Sequence, residues 1–211
     1  LSRAEQGHIL AAGFGVVALA VPAAAIFLAK SGVTLSIFWI GAYSPVLILL
    51  YLAGMRVIFR YEKRKMALER KAVLAYESVS ARQAYTGFAV SALVIVGAAV
   101  WLPFIGDRLA VETGWGRTFV GMLFIAFATS LPEVVTSIAA VRIGAVDLAI
   151  GGLLGSNLFN LGILAVDDLL FSAGPILAHV SSSHMLPALS AILMSGIAIL
   201  ALFYKPEPRR V

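Results

Sequence analysis

Six stretches of the chain are apolar and long enough to cross a lipid bilayer, and this feature restricts the fold more than any other. They cover residues 9–29, 33–59, 85–105, 118–140, 148–166 and 185–204. About 20 apolar residues in a helix span the hydrocarbon core of a bilayer. With 61% hydrophobic and 13% charged residues, the chain is too apolar for a soluble domain of 211 residues. The sequence therefore predicts an all-α, multi-pass membrane helix bundle with six transmembrane helices.

Polar segments divide the chain into three parts. We expect two transmembrane helices in residues 1–59, a basic loop at 60–84, and four transmembrane helices with an ion site in 85–211. The region 56–84 holds eight basic and three acidic residues, and an amphipathic surface helix and a solvated linker both remain open for it. The basic residues beside the spans predict that this loop and both chain ends are cytoplasmic. We expect the protein in the plasma membrane.

The acidic residues point to one position inside a span. Of eleven acidic side chains, we place ten in water-facing segments, including Asp167 and Asp168 at the start of a connection over residues 167–184. Glu133 alone is expected inside an apolar span. An ionisable group there costs about 2.5–3.5 kcal/mol on insertion scales, so its default interpretation is functional.

Oxygen-bearing residues recur around Glu133 at helical spacing. Thr129 lies four residues before it and Ser130 three, so all three share roughly one helix face. Pro132 lacks an N–H, which predicts a kink or opening that frees a carbonyl. In the next span Ser156 and Asn160 are four residues apart, behind glycines that are expected to permit close helix approach. Such a set of hard oxygens suits Na⁺ or Ca²⁺.

These residues also carry a resemblance to a known family. The segments ATSLPEVVTS and GSNLFN lie about two dozen residues apart, and together they resemble the second alpha-repeat of the sodium/calcium exchanger, or cation/calcium antiporter, superfamily. The chain departs from the usual pattern at Ala128, where glycine is common, and at Asn160, where some members have aspartate. The resemblance implies ion ligands at Glu133, Thr129, Ser130, Ser156, Asn160 and the Ala126 carbonyl.

The resemblance also implies an incomplete architecture. The chain would correspond to helices four to nine of a ten-helix inverted-repeat exchanger and would lack the first alpha-repeat. The first and sixth spans begin similarly yet cross in opposite directions, as inverted repeats do. We therefore expect a fragment whose site needs a missing N-terminal half, or a half-size protein that pairs with a second chain.

The expected function is secondary active antiport of Ca²⁺ against Na⁺ or H⁺, without a cofactor and without enzymatic activity. An intramembrane serine hydrolase using Ser156 with His179 or His184 is the first alternative. The histidines fall in a connection, however, whereas Ser156 lies near mid-span, so the geometry is unfavourable. A non-transporting membrane subunit is the second alternative.

Overall fold

The computed structural model of the chain describes residues 3–68 and 80–204 and is almost entirely helical. A two-residue antiparallel pair, β1 (Ser36–Ile37) and β2 (Ile40–Gly41), interrupts the helices after α1. A π-helical turn at Gly121–Ile125 joins α4 to α5, and a 3₁₀ turn at Ser182–His184 precedes α8. The α-helices are α1 (Arg3–Lys30), α2 (Tyr43–Leu68), α3 (Ala81–Thr113), α4 (Arg117–Val120), α5 (Ala126–Arg142), α6 (Val146–Leu170), α7 (Ile176–His179) and α8 (Met185–Phe203).

Six helical segments of the described chain are long and apolar enough to cross a membrane, which confirms the predicted helical membrane bundle. Several boundaries differ from the expected ones. The second helix begins at Tyr43 rather than at residue 33, because the hairpin precedes it, and the third covers Ala81–Thr113 rather than residues 85–105. The second helix continues to Leu68, beyond the expected end at residue 59, and the fifth ends at Leu170 rather than 166. Residues 69–79, which hold most of the expected amphipathic segment, lie outside the described residues.

The chain divides into two compact units, residues 1–65 with 133–211 and residues 66–132, and the division falls within α5. In the first unit, α1 packs against α6 and α8. The core of this unit is formed by α1, α2 and α6, through Ala18, Leu47, Leu158, Leu161 and Ala165. The core thus joins α6 to two helices that lie far from it in sequence, because burial depends on contact between apolar side chains and not on sequence distance.

Close contact between α2 and α6 depends on glycines other than the expected ones. A Cβ atom on Gly54 would lie 2.9 Å from Leu158, and one on Gly162 would lie 3.3 Å from the Tyr51 ring. By contrast, a Cβ on Gly152 or Gly155 would meet no described atom within 4 Å. The prediction that the glycines before Ser156 permit close helix approach is therefore wrong for these two positions in this chain.

Contacts at the two ends of the first unit show the direction of its helices. His8 near the start of α1 lies 3.3 Å from the Asp147 carboxylate at the start of α6, measured from Nε2 to Oδ1. At the other end, Lys30 donates to the Ala178 carbonyl and the Trp39 indole donates to the Leu169 carbonyl. Helices α1 and α6 are therefore parallel, as alternating crossings require for the first and fifth spans.

The second unit is built on α3. Its N-terminus is closed by a capping box in which Ser80 and Gln83 each bond the other's backbone N–H, and it ends at Gly114 with a left-handed φ of 69°. Gly106 allows α3 to approach the π-helical turn, since a Cβ there would lie 2.7 Å from Ile125. The helix α5 continues through Pro132, and the irregular turn lies upstream at Gly121–Ile125.

Candidate ion site

Glu133 and Ser156 are brought together in the first unit. The Ser156 hydroxyl donates a hydrogen bond of 2.7 Å to Oε1 of Glu133, which joins α5 to α6 across 23 positions in sequence. Glu133 and Ser156 are both half-buried. This hydrogen bond satisfies one carboxylate oxygen and links α5 to α6.

The second carboxylate oxygen of Glu133 is buried and has no hydrogen-bond partner among the described residues. An unsatisfied buried polar atom costs about 1–3 kcal/mol, and more when it carries charge. This oxygen can be satisfied by a proton, by a cation or by a donor from another chain. The carboxylate is therefore held on one side by Ser156 and left open to a ligand on the other.

Asn160 is not joined to this carboxylate in the described structure. It lies one turn after Ser156 on α6, but its side chain is exposed and makes no hydrogen bond with the other described residues of its unit. The amide therefore lies on the same helix as the serine without contributing to the Glu133 contact. Its expected place as an ion ligand stays a prediction.

Three other predicted ligands, Thr129, Ser130 and the Ala126 carbonyl, lie in the second unit. The Thr129 hydroxyl donates to the carbonyls of Ile125 and Ala126, each at 3.0 Å. Such bonding back to the helix is common for threonine in membrane helices. The Ala126 carbonyl has a second lone pair, and Ser130 is exposed. The structure thus leaves oxygen atoms of this segment able to accept a further partner.

The oxygen set is incomplete as a metal site. Among the described residues, no group of three or more histidine, cysteine or acidic side chains could hold a metal ion. In the first unit the described oxygen beside Glu133 is the Ser156 hydroxyl, which suits a hard cation but carries no charge. This chain itself therefore contributes one carboxylate and neutral oxygens to the candidate ion site.

A second buried carboxylate, Asp168, corrects the sequence-based census of acidic residues. We expected it in a water-facing connection, but it lies in the last turn of α6 and is 0% exposed. Its oxygens accept from the Tyr43 and Ser44 hydroxyls, both at 2.5 Å, and from the backbone N–H groups of Gly41 and Ile176 at 2.8 and 2.7 Å. Glu133 is therefore not alone among acidic groups inside the bundle.

Tyr43, at the start of α2, is a second member of this hydrogen-bond network. Its hydroxyl donates to Asp168 and accepts from the backbone N–H of Leu177 at 3.1 Å. The Asp168 cluster, which we define as Gly41, Tyr43, Ser44, Asp168 and Ile176, therefore ties the hairpin, α2, α6 and α7 together. Both carboxylate oxygens of Asp168 have hydrogen-bond partners.

Helical spacing is the signal that could have located Asp168. The buried positions Leu158, Leu161, Ala165 and Asp168 follow one another at intervals of three or four residues along α6. Asp168 thus continues the apolar stripe that faces the core, whereas its neighbour Asp167 is exposed. Because we expected the fifth span to end at residue 166, we did not expect Asp168 on this buried face.

Comparison with known sequences decides the family. The pattern described as "Sodium/calcium exchanger protein" matches residues 83–211, which is more than half of the chain and includes both Glu133 and Ser156. This chain belongs to the sodium/calcium exchanger family. The resemblance inferred from TSLPE and GSNLFN is therefore confirmed.

The curated relatives match shorter segments of this chain than the family pattern does. "Inner membrane protein YrbG" of Escherichia coli (strain K12) is 37% identical over 93 residues, covering 43% of this chain and 27% of the relative. "Putative antiporter CaxA" of Alkalimonas amylolytica is 34% identical over 95 residues, 43% of this chain and 30% of the relative. "Sodium/calcium exchanger MaX1" of Methanosarcina acetivorans is 29% identical over 87 residues, 40% and 24% respectively.

The matched segments thus span less than a third of each of these relatives. No solved structure matches the exchanger chain.

The hydrolase alternative finds no support in the contacts of the exchanger chain. The described hydrogen bond of Ser156 is to the Glu133 carboxylate, whereas His179 Nδ1 lies 3.1 Å from the Pro175 carbonyl oxygen. A serine nucleophile needs a base within hydrogen-bond reach that is itself oriented by a third group. The structure places Ser156 with an anion rather than with a histidine.

Proposed function

We propose that this chain supplies one half of the ion site of a secondary active antiporter that exchanges Ca²⁺ for Na⁺ or H⁺. The observation that carries the proposal is the buried Glu133 oxygen without a partner, beside an oxygen already held by Ser156. Membership of the sodium/calcium exchanger family supports it. So do the names of two relatives, an antiporter and a sodium/calcium exchanger.

Exchange follows from exclusive occupancy of this carboxylate. A divalent cation, a smaller monovalent cation or a proton each satisfies the open oxygen, and no two of them fit at once. Each occupant leaves a different net charge beside Ser156, so each biases inward-open and outward-open states differently. Transport of one ion is then coupled to return of the other.

The site requires oxygens from outside this chain. Calcium takes six to eight oxygen ligands at about 2.3–2.6 Å. Among the proposed side-chain ligands Glu133 carries a charge, and the other four are neutral: Ser156, Asn160, Thr129 and Ser130. We propose that a missing N-terminal half or a second chain supplies the remainder. The open space beside Gly152 and Gly155, on the helix that carries Ser156, is where an additional helix would fit.

Placement in the membrane follows from the same proposal. Six apolar helices indicate an integral multi-pass membrane protein. We propose that it resides in the plasma membrane with both ends of the chain cytoplasmic. The basic residues of the region 56–84 support this orientation, because positively charged loops are retained on the cytoplasmic side.

Calcium-dependent stability of the purified chain tests the site, because water can occupy the ligand positions that this chain leaves open. Ca²⁺ at about 100 times its dissociation constant should stabilise the protein by about 2.7 kcal/mol, seen as a rise in Tm. Glu133→Gln keeps the size of the side chain and removes its charge, so the rise should be lost. Asp107→Asn is the matched control, because Asp107 is exposed and paired with Arg117 at 2.8 Å.

Calcium flux into vesicles tests transport itself. Glu133→Gln should abolish sodium- or proton-driven flux while the protein still folds, and Asp107→Asn should retain it. Unchanged calcium flux in the Glu133→Gln protein would contradict the proposal. A Tm response to Ca²⁺ that survives Glu133→Gln would place the ion elsewhere in the chain.

A further inference from the structure

A groove in the first unit lies apart from Glu133, at the end of α1. It has a volume of about 280 Å³ and is lined by α1, the connection that follows it, the start of α2 and α7. This is close to the lower end of the range for small-molecule sites, about 300–1,000 Å³. Its walls are formed by residues that include Val21, Ala25, Leu28, Leu35, Tyr43 and Pro175.

The groove offers almost no hydrogen bonds to an occupant. Its lining side chains are apolar except for Thr34 and Tyr43. The Tyr43 hydroxyl is already engaged, since it donates to Asp168 and accepts from Leu177. A peptide in this groove would leave its backbone N–H and C=O groups unsatisfied, whereas a hydrocarbon chain has no such groups.

The Lys30 ammonium group lies at the rim of the groove. Lys30 is exposed, follows the lining residue Ala29, and donates one hydrogen bond of 3.3 Å to the carbonyl of Ala178, which also lines the groove. An ammonium group has three donors, and no described carboxylate pairs with this one. Asp168, which bonds the lining residue Tyr43, is fully buried and already accepts from four donors.

The hairpin of β1 and β2, next to the groove, presents apolar and aromatic side chains. Its turn places Phe38 at a φ of 57° and leaves that side chain 88% exposed, with Leu35, Ile37 and Trp39 also exposed. A bulky residue with positive φ is an uncommon conformation in proteins. Apolar and aromatic side chains presented together beside the end of a span are typical of the boundary between headgroups and hydrocarbon.

We infer that this groove binds an anionic glycerophospholipid, with an acyl chain along Ala25 and Leu28 and the phosphate at Lys30. The groove lies beside the last turns of the first apolar span, which ends at Lys30. The charge at its rim complements a phosphate, and the apolar lining complements the chain. This site is independent of ion exchange at Glu133.

Retention of phosphatidylglycerol by the delipidated full chain in detergent tests the site, with affinity measured by native mass spectrometry. Lys30→Gln should weaken binding about tenfold, as expected for loss of about 1.4 kcal/mol from a charge-assisted contact. Ala25→Leu should weaken binding to a similar or greater degree by filling the groove. Arg82→Gln, at an exposed position on α3, and Ala20→Leu, at an exposed position on α1 outside the lining, should bind as the unsubstituted chain does.

Two further ligands separate the parts of the proposal. Diacylglycerol with the same chains lacks the phosphate and should bind at least about tenfold more weakly, and glycerol phosphate lacks the chains and should not bind measurably. Equal binding of diacylglycerol would overturn the role of Lys30, and equal binding of glycerol phosphate would overturn the role of the groove. Undiminished phosphatidylglycerol binding by both Lys30→Gln and Ala25→Leu would reject the site.

Discussion

Glu133 and Asp168 are two carboxylates inside the same helical unit, and they differ in how their charge is satisfied. Asp168 accepts hydrogen bonds from two hydroxyls and two backbone N–H groups and is 0% exposed. Glu133 accepts one, from Ser156, and its other oxygen is buried without a described partner. A fully satisfied anion fixes a structure, whereas a half-satisfied one is suited to bind and release a ligand.

The hydrogen-bond donors to the two carboxylates also come from different elements of the unit. Donors to Asp168 come from the hairpin, α2 and α7, so this carboxylate joins elements that are far apart in sequence. The donor to Glu133 comes from the next helix alone. Ion release that altered the Glu133 environment would therefore disturb one helix contact, while the Asp168 cluster would keep its end of the unit unchanged.

Removing the satisfied carboxylate should have the largest effect on stability. Asp168→Ala leaves four donors without their acceptor, two of them in buried hydrogen bonds, so we expect a loss of about 3–5 kcal/mol in the free energy of unfolding. Denaturant unfolding in detergent would measure it. The control is Asp167→Ala at the exposed neighbouring position, which should change stability by less than about 0.5 kcal/mol. Equal losses in the two variants would contradict a structural role that belongs to Asp168.

Removing one donor from the Asp168 cluster should have a smaller effect of the same kind. Tyr43→Phe deletes the hydroxyl that bonds Asp168 and Leu177, and we expect a loss of about 1–2 kcal/mol. The matched control is Tyr51→Phe, since the Tyr51 ring packs against Gly162 and its hydroxyl makes no hydrogen bond with the described residues. A larger loss for Tyr51→Phe than for Tyr43→Phe would show that the cluster contributes little.

Removing the donor to Glu133 should act on ion binding more than on folding. Ser156→Ala takes away the hydrogen bond to Oε1, and we expect calcium affinity to fall about five- to tenfold, or about 1–1.4 kcal/mol. Calcium titration of Tm would report it. Ser190→Ala at an exposed position on α8 should leave the affinity unchanged. If both serine variants bind calcium alike, Ser156 does not hold the ion-binding carboxylate.

The smallest expected change in folding stability is at Glu133 itself. Glu133→Gln keeps an acceptor for Ser156 and removes a charge that was only half satisfied, so the free energy of unfolding without calcium should change by less than about 1 kcal/mol. The measurement is the same denaturant unfolding used for Asp168→Ala. A loss as large as that of Asp168→Ala would make Glu133 a structural anion and would remove the distinction between the two groups.

Much of the architecture was accessible from local sequence patterns. Helical spans follow from long apolar runs because a bilayer requires every backbone group to be bonded within its own segment. The family followed from TSLPE and GSNLFN, and the pairing of Glu133 with Ser156 was expected because both segments are consecutive spans. The glycine contacts were misplaced, since Gly54 and Gly162 rather than Gly152 and Gly155 lie against a neighbouring helix.

The sequence alone determined the six apolar helices, the family and the identity of the acidic residue within its characteristic motif, because hydropathy and short motifs are local properties. Only the tertiary structure decided which carboxylate is satisfied. The donors to Asp168 lie up to 127 residues away in sequence, and no local pattern records which hydroxyls will fold onto it. Satisfaction of a buried charge is a property of packing, so only the folded chain shows that Asp168 accepts from four donors and Glu133 from one.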